Sequence, residues 1–159
     1  MNKQKMLSII LVILIIATLV FIWGNSLKTV PESSKESTQV LTNTKPALES
    51  IVGKKNATDH LVRKIAHFVE YCVLGGEFAL LLLLFRRVGI QGVSNCLFAG
   101  LSTAVIDESL QIISKRGSMV SDVLLDLGGV AAGILIILLL HLISKPKSKK
   151  SSLIQASEH

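Results

Sequence analysis

The sequence is poor in aromatic residues, cysteine and charge, and each shortage excludes a class of protein. Aromatic side chains make up 4% of the chain, and no basic stretch has aromatics interleaved with it, so we expect no nucleic acid partner. Cys72 and Cys96 form no CxxC or other ligand spacing, which leaves no basis for a disulfide framework. With 18% charged and 50% apolar residues, the chain is too hydrophobic for a soluble domain of 159 residues.

Four apolar runs are about as long as a membrane-crossing helix, which needs about 20 mostly apolar residues. They cover residues 6–23, 65–85, 93–113 and 120–143. The sequence therefore predicts an all-α membrane protein with four transmembrane helices. The remaining segments are a short N-terminus at 1–5, a loop at 24–64 and a basic tail at 144–159.

The distribution of basic residues predicts that both termini lie in the cytoplasm. Short basic segments flank the apolar runs at residues 3–5, 86–87 and 145–150. Most other lysines and arginines are spread over the long 24–64 segment together with acids, and long segments count less in the positive-inside rule. The 24–64 segment is then the outer loop.

The first span and the loop after it differ sharply in composition. We expect an uncleaved membrane anchor rather than a signal peptide, because the apolar run is long and ends in Phe21 and Trp23, which suit a membrane interface. The loop is rich in Ser, Thr, Lys and Glu and cannot bury a core of its own. We expect it to lie over the membrane surface as turns and short helix.

The other three spans carry charged residues that are costly in hydrocarbon, at about 2.5 to 3.5 kcal/mol each on insertion scales. If successive spans alternate in direction, the start of the second, the end of the third and the start of the fourth lie at one membrane face. We therefore predict a polar pocket at the outer-leaflet end. Its candidate residues are Arg63, Lys64, His67, Glu70, Tyr71, Asp107, Glu108, Gln111, Arg116, Ser118, Asp122 and Asp126.

Helical spacing indicates that the polar faces of these spans turn towards one another. One stripe contains Arg63, His67, Glu70, Leu74 and Glu77, a second Asp122, Asp126, Gly129 and Gly133, and a third Gly100, Ala104, Asp107 and Gln111. The small residues, including a GxxxG at 129–133, predict close backbone approach on the cytoplasmic side. Glu77 lies deeper, either as a protonated or interhelically bonded acid or as part of a proton relay.

The polar cluster has three interpretations that the residues alone leave open. Acids and cations nearly balance, so it could be an ion-pair network that holds three helices together. It could also recognise a ligand such as a lipid headgroup, or carry catalysis or a metal. A lone His67-x-x-Glu70 lacks the paired copy of carboxylate-bridged bundle sites, so we predict no metal and assign no cofactor. No GxSxG-like turn presents a nucleophilic serine.

Several short motifs occur in order along the chain. They are RKIAHFVEY at 63–71, LG at 74–75, DESLQ at 107–111, RGS at 116–118, and DV through DLGG at 122–129. This combination resembles the VanZ-like family of bacterial membrane proteins over about residues 6–143. The chain departs from the family's common residues in two places. Ser109 and Leu110 occur where a second histidine often precedes the glutamine, and Asp126 occurs where asparagine is common.

The resemblance implies a four-helix protein of the bacterial plasma membrane. The family's namesake is associated with low-level resistance to teicoplanin, a lipid-tailed glycopeptide antibiotic. We therefore expect a cell-envelope protein that contacts membrane lipids, binds a lipid headgroup, a lipid-linked wall precursor or a lipoglycopeptide, and so alters antibiotic susceptibility. The alternative is a small intramembrane enzyme acting on an envelope lipid through the His/Glu/Asp cluster. The lack of a complete catalytic motif favours the first hypothesis.

Overall fold

The computed structural model describes residues 2–52, 58–115 and 119–144, and every regular element within these ranges is an α-helix. The helices are α1 (Lys3–Ser26), α2 (Val30–Val52), α3 (Asp59–Leu84), α4 (Ile90–Ile113) and α5 (Val120–Ser144). All of them except α2 are long and apolar enough to cross a membrane. The predicted all-α fold with four membrane-spanning helices is therefore confirmed.

Helix ends differ from the predicted spans where local capping chemistry extends a helix. α3 begins well before the apolar run because the hydroxyl of Thr58 accepts a hydrogen bond from the backbone N–H of Leu61, at 3.3 Å. α4 begins at Ile90, before the predicted third span at 93–113, so residues 85–89 form the connection. Residues 116–118 and the basic tail from residue 145 onwards lie outside the described residues.

The loop after the first span contains a longer helix than we predicted. α2 begins at Thr29-x-x-Glu32, the sequence pattern of a capping box. Oε2 of Glu32 accepts hydrogen bonds from the backbone N–H of Thr29 at 3.0 Å, which is one half of the box, and from its hydroxyl at 2.8 Å. These bonds favour the carboxylate and hold the pKa of Glu32 below its ordinary value. The helix extends to Val52 and packs against α3.

α3 is the central helix and contacts all four others, most extensively α5. Glycines allow this contact. A Cβ atom at Gly129 would lie 2.6 Å from the carbonyl oxygen of Phe68, and one at Gly133 would overlap the carbonyl of Cys72. Real Cβ atoms do not approach backbone so closely, so the interface requires glycine at both positions. The close approach predicted from the GxxxG at 129–133 is therefore present between α5 and α3.

The outer surface of the bundle is apolar. Large hydrophobic side chains such as Val20, Phe21 and Leu142 are more than half exposed, and they belong to the helices that are long enough to cross a membrane. α1 is the extreme case, since Ile22 and Ser26 are its only buried residues. Apolar exposure on this scale suits contact with lipid rather than water. The fold is that of a multi-pass membrane protein.

Candidate functional site: a polar cavity at one end of the bundle

The start of α3, the end of α4 and the start of α5 meet at one end of the bundle and form a cavity of about 340 Å³. Among the predicted site residues, the cavity is lined by Arg63, Lys64, His67, Glu108, Gln111, Asp122 and Asp126. His60, Met119 and Leu125 complete the lining. The sequence analysis predicted that these three helix ends lie at one membrane face, and in the structure their side chains line one cavity. Arg116 and Ser118 lie outside the described residues.

Lys64 and Asp122 form an ion pair in the cavity wall. Nζ of Lys64 lies 2.6 Å from Oδ1 of Asp122, and both side chains are partly accessible. The pair links α3 to the first turn of α5, where a carboxylate also interacts favourably with the helix dipole. Lys64 is therefore the cation that pairs with Asp122 in the described part of the chain.

Glu108 connects α4 to the beginning of α5. Its Oε2 accepts a hydrogen bond of 3.1 Å from the backbone N–H of Met119, the residue that precedes the first turn of α5. N–H groups at a helix start have no partner within the helix, so a carboxylate there satisfies a donor and stabilises the end. Part of the role of Glu108 is therefore to fix the geometry of the cavity.

One residue from each of the three converging helices joins a cluster that we call the base of the cavity. Its members are His67 and Asp126, which line the cavity, and Asp107, which does not. Asp107 is fully buried and Asp126 is 1% exposed. One possible ligand atom from each of the three residues lies within 4.8 Å of the other two. Nδ1 of His67 lies 3.6 Å from Oδ2 of Asp107, and that oxygen also accepts a 3.1 Å hydrogen bond from Nε2 of Gln111.

Glu70 and Glu77 turn away from this base towards α1. Oε1 of Glu70 accepts a hydrogen bond of 3.0 Å from Nδ2 of Asn25, and Oε1 of Glu77 accepts one of 2.9 Å from the hydroxyl of Thr18. Glu77 is thus an interhelically bonded acid, one of its two predicted roles. Glu70 does not join His67 in the three-residue cluster, so the His67-x-x-Glu70 pair is not the ligand set that the structure assembles.

Tyr71 follows Glu70 in α3 and is fully buried. Its hydroxyl has no hydrogen-bond partner among the described residues. A buried phenol of this kind normally finds a partner, because leaving the hydroxyl unsatisfied is unfavourable. Tyr71 is not among the residues that line the cavity, so it is a polar group of the interior.

The sequence analysis missed two polar residues, one in the cavity lining and one that bonds to a predicted site residue. His60 lies at the spacing i, i+3, i+7 with Arg63 and His67, so the same helical stripe would have included it. Asn25 gives no such signal, because an uncharged amide at the end of an apolar span does not stand out until its partner in space is known.

A family model described as VanZ/LLP1 matches residues 7–141, which is most of the chain and all of the helices that form the cavity, apart from their outermost residues. The chain belongs to the VanZ/LLP1 family. The resemblance seen in the motifs of the sequence is therefore confirmed. No curated protein and no solved structure matches the chain. In this VanZ/LLP1 protein the motifs that carried the resemblance are largely those that line the cavity or its base.

Proposed function

We propose that the cavity binds the anionic headgroup of a membrane lipid or of a lipid-linked envelope molecule at the outer face of the bacterial plasma membrane. The observation that carries this proposal is a cavity with basic side chains at one end of a bundle whose outer surface is apolar. His60, Arg63 and Lys64 all lie on its α3 wall. Its volume of about 340 Å³ is within the range of about 300 to 1,000 Å³ common for small-ligand sites.

Arg63 is the residue best suited to hold an anion. Its Nε atom is buried and has no acceptor among the described residues, whereas Lys64 is paired with Asp122. A guanidinium donates two parallel hydrogen bonds to a phosphate or carboxylate, so it selects for planar or tetrahedral anionic groups. A headgroup phosphate would satisfy the donor that the described protein residues leave without a partner.

The apolar outer surface lets a lipid tail stay in the membrane while its headgroup occupies the cavity. Each methylene that remains in hydrocarbon contributes about 0.8 kcal/mol, so a tail would dominate the affinity and the cavity would provide selectivity. Such a site could take a lipid-linked wall precursor or a lipid-tailed glycopeptide. Either interaction would change susceptibility to teicoplanin, and this is the physiological effect we propose.

Expression in a susceptible Gram-positive host tests the proposal. Tolerance to teicoplanin should rise more than tolerance to vancomycin, which lacks the lipid tail. Arg63→Ala and His67→Ala should lose the effect at normal membrane levels. Arg86→Ala, at the opposite end of the bundle, should keep it. Equal protection against both drugs would argue against recognition of the tail, and no protection would remove the antibiotic role.

A second candidate function is an intramembrane enzyme that acts on an envelope lipid. It is favoured by the proximity of the His67 imidazole to the buried Asp107 carboxylate, at 3.6 Å, because a carboxylate orients an imidazole for proton transfer. Purified protein incubated with envelope lipids should then release or transfer a headgroup, as seen by mass spectrometry. The activity should be lost in His67→Ala and kept in Glu77→Gln. Unchanged lipids would rule this candidate out.

A further inference from the structure

His67, Asp107 and Asp126 have the composition of a metal-binding site. An imidazole and two carboxylates come from three different helices, and one possible ligand atom of each lies within 4.8 Å of the other two. Histidine nitrogen and carboxylate oxygen are common ligands of divalent transition metals such as Zn²⁺ and Mn²⁺. The two carboxylates are almost completely buried, so placing them side by side as anions is unfavourable unless positive charge lies between them.

The distance between His67 and Asp107 also fits two ligands of one ion. Nδ1 and Oδ2 are 3.6 Å apart, which is too long for a hydrogen bond. Two ligand atoms at about 2.0 to 2.1 Å from a tetrahedral ion lie about 3.3 to 3.4 Å from each other. Small side-chain rotations would therefore bring the pair to ligand geometry.

Asp126 provides an independent indication of a missing partner. The residue is 1% exposed, and its Oδ1 has no hydrogen-bond partner among the residues that the structure describes. Its carboxylate is directed towards the other two residues, since one of its oxygens is among the atoms within 4.8 Å. A buried carboxylate oxygen without a donor is unfavourable, and a metal ion would satisfy it.

We propose that His67, Asp107 and Asp126 bind one divalent first-row transition-metal ion at the base of the cavity. Gln111 is the positioning residue, because its amide donates to Oδ2 of Asp107 and fixes the orientation of that carboxylate. His67 and Asp126 also line the cavity, so an ion between them is reached from there. Three protein ligands leave at least one coordination position for water or a ligand oxygen. The site does not depend on the lipid ligand proposed above.

Metal binding by the full chain in detergent tests this inference. Protein stripped with a chelator and dialysed against micromolar Zn²⁺ or Mn²⁺ should retain one ion per chain and unfold at a higher temperature than the stripped protein. Asp126→Asn keeps the size of the side chain and should weaken binding by about 100-fold or more. Gln111→Ala should weaken it by about 10- to 100-fold while the stoichiometry stays at one. Glu77→Gln, a matched carboxylate-to-amide change outside the cluster, should bind as wild type does.

A measurement on the wild-type chain identifies the ligands and does not require any variant to fold. Pulsed electron paramagnetic resonance of the Mn²⁺-loaded protein should show coupling to one imidazole nitrogen. Absence of a nitrogen signal, or no retained ion in the wild-type protein, would overturn the proposal. Full binding in Asp126→Asn and His67→Ala would place the metal elsewhere and would also reject it. Lipid binding that persists without metal leaves the proposed function intact and separates the two hypotheses.

Discussion

Asn25 and Glu70 form one rung of a polar ladder between α1 and α3. Nδ2 of Asn25 donates to Oε1 of Glu70 at 3.0 Å, and the second rung is the 2.9 Å bond from Thr18 to Glu77. The partners on each helix are separated by i, i+7 and run in opposite order, as antiparallel helices require. α1 buries little else than Ile22 and Ser26, so these two bonds help to fix its register on the bundle, together with a 3.1 Å bond from Nε2 of Gln4 to the carbonyl oxygen of Leu84.

The ladder predicts a measurable coupling between Thr18 and Glu77. Thr18→Val preserves shape but removes the donor, and we expect it to lower the free energy of unfolding by about 0.5 to 1.5 kcal/mol, as for other hydrogen bonds between membrane helices. The same substitution in a Glu77→Leu background should have little further effect. Unfolding in mixed detergent micelles measures both. Equal effects of Thr18→Val in the two backgrounds would mean that the bond contributes nothing.

The contact between α3 and α5 predicts that alanine substitutions at two glycines of α5 differ strongly in their effect on stability. A methyl group at Gly133 would overlap the Cys72 carbonyl, whereas one at Gly128 would lie 3.8 Å from the Phe68 ring, at ordinary contact distance. Gly133→Ala should therefore destabilise the bundle by about 1 to 3 kcal/mol or more, and Gly128→Ala should be close to neutral. Thermal unfolding in detergent compares them. Equal tolerance of both substitutions would contradict the close approach.

The ion pair between Lys64 and Asp122 predicts recovery on charge reversal. The side chains are 29% and 18% exposed, so the pair lies between a surface pair and a buried one, and we expect either alanine substitution to cost about 1 to 3 kcal/mol. The exchange of both residues, Lys64→Asp with Asp122→Lys, should regain part of this. It should not regain all of it, because a lysine in the first turn of α5 opposes the helix dipole. If the exchanged protein loses as much stability as the two alanine variants lose together, the pair is not coupled.

The backbone conformation at Lys115 predicts that glycine at this position would stabilise the protein. It follows the C-cap of α4 with a φ of 58°, a left-handed conformation that glycine adopts without the steric penalty of a Cβ atom. Lys115→Gly should raise the stability by about 0.5 to 1 kcal/mol. Lys115→Ala keeps the Cβ atom and is the control. If both variants unfold at the same temperature, the left-handed conformation is not the reason for any change.

The sequence predicted the membrane-spanning helices because hydrophobic length decides them, and it predicted convergence of the polar ends because the spans alternate. It could not show which polar side chains pair with each other. His67 and Glu70 lie on one helical stripe, yet positions three residues apart differ by about 60° around a helix. His67 faces Asp107, whereas Glu70 faces Asn25. Periodicity shows which side chains share one face of a helix. How each helix is rotated about its axis, and so which residues that face meets, depends on contacts such as that of Gly133 with Cys72.

The length of α2 was missed for a different reason. Its composition is polar, and the prediction followed composition. The Thr29-x-x-Glu32 capping box was present in the sequence and gives the beginning of the helix directly. The three-residue cluster at the base of the cavity had no comparable signal, because its members are separated by long stretches of chain and only tertiary packing brings them together.

The orientation of the protein in the membrane is the prediction on which an outward-facing cavity depends. α2 follows the end of α1, and the cavity lies at the start of α3, so both should be outside if the termini are in the cytoplasm. The connection at 85–89 should then be inside. Gln39 and Val88 are exposed positions in these two segments and are suitable for cysteine labelling.

The two native cysteines, which are free and lie within spanning helices, are first replaced by alanine so that only the introduced thiol can react. Gln39→Cys should then react with a membrane-impermeant maleimide in intact cells. Val88→Cys should react only after the membrane is opened, and equal labelling of both in opened membranes is the control. The reverse pattern would place the cavity in the cytoplasm, where an extracellular glycopeptide does not reach it, so the outer-face ligand would have to be abandoned. The metal site would be unaffected, because it depends on the contacts within the bundle and not on which side they face.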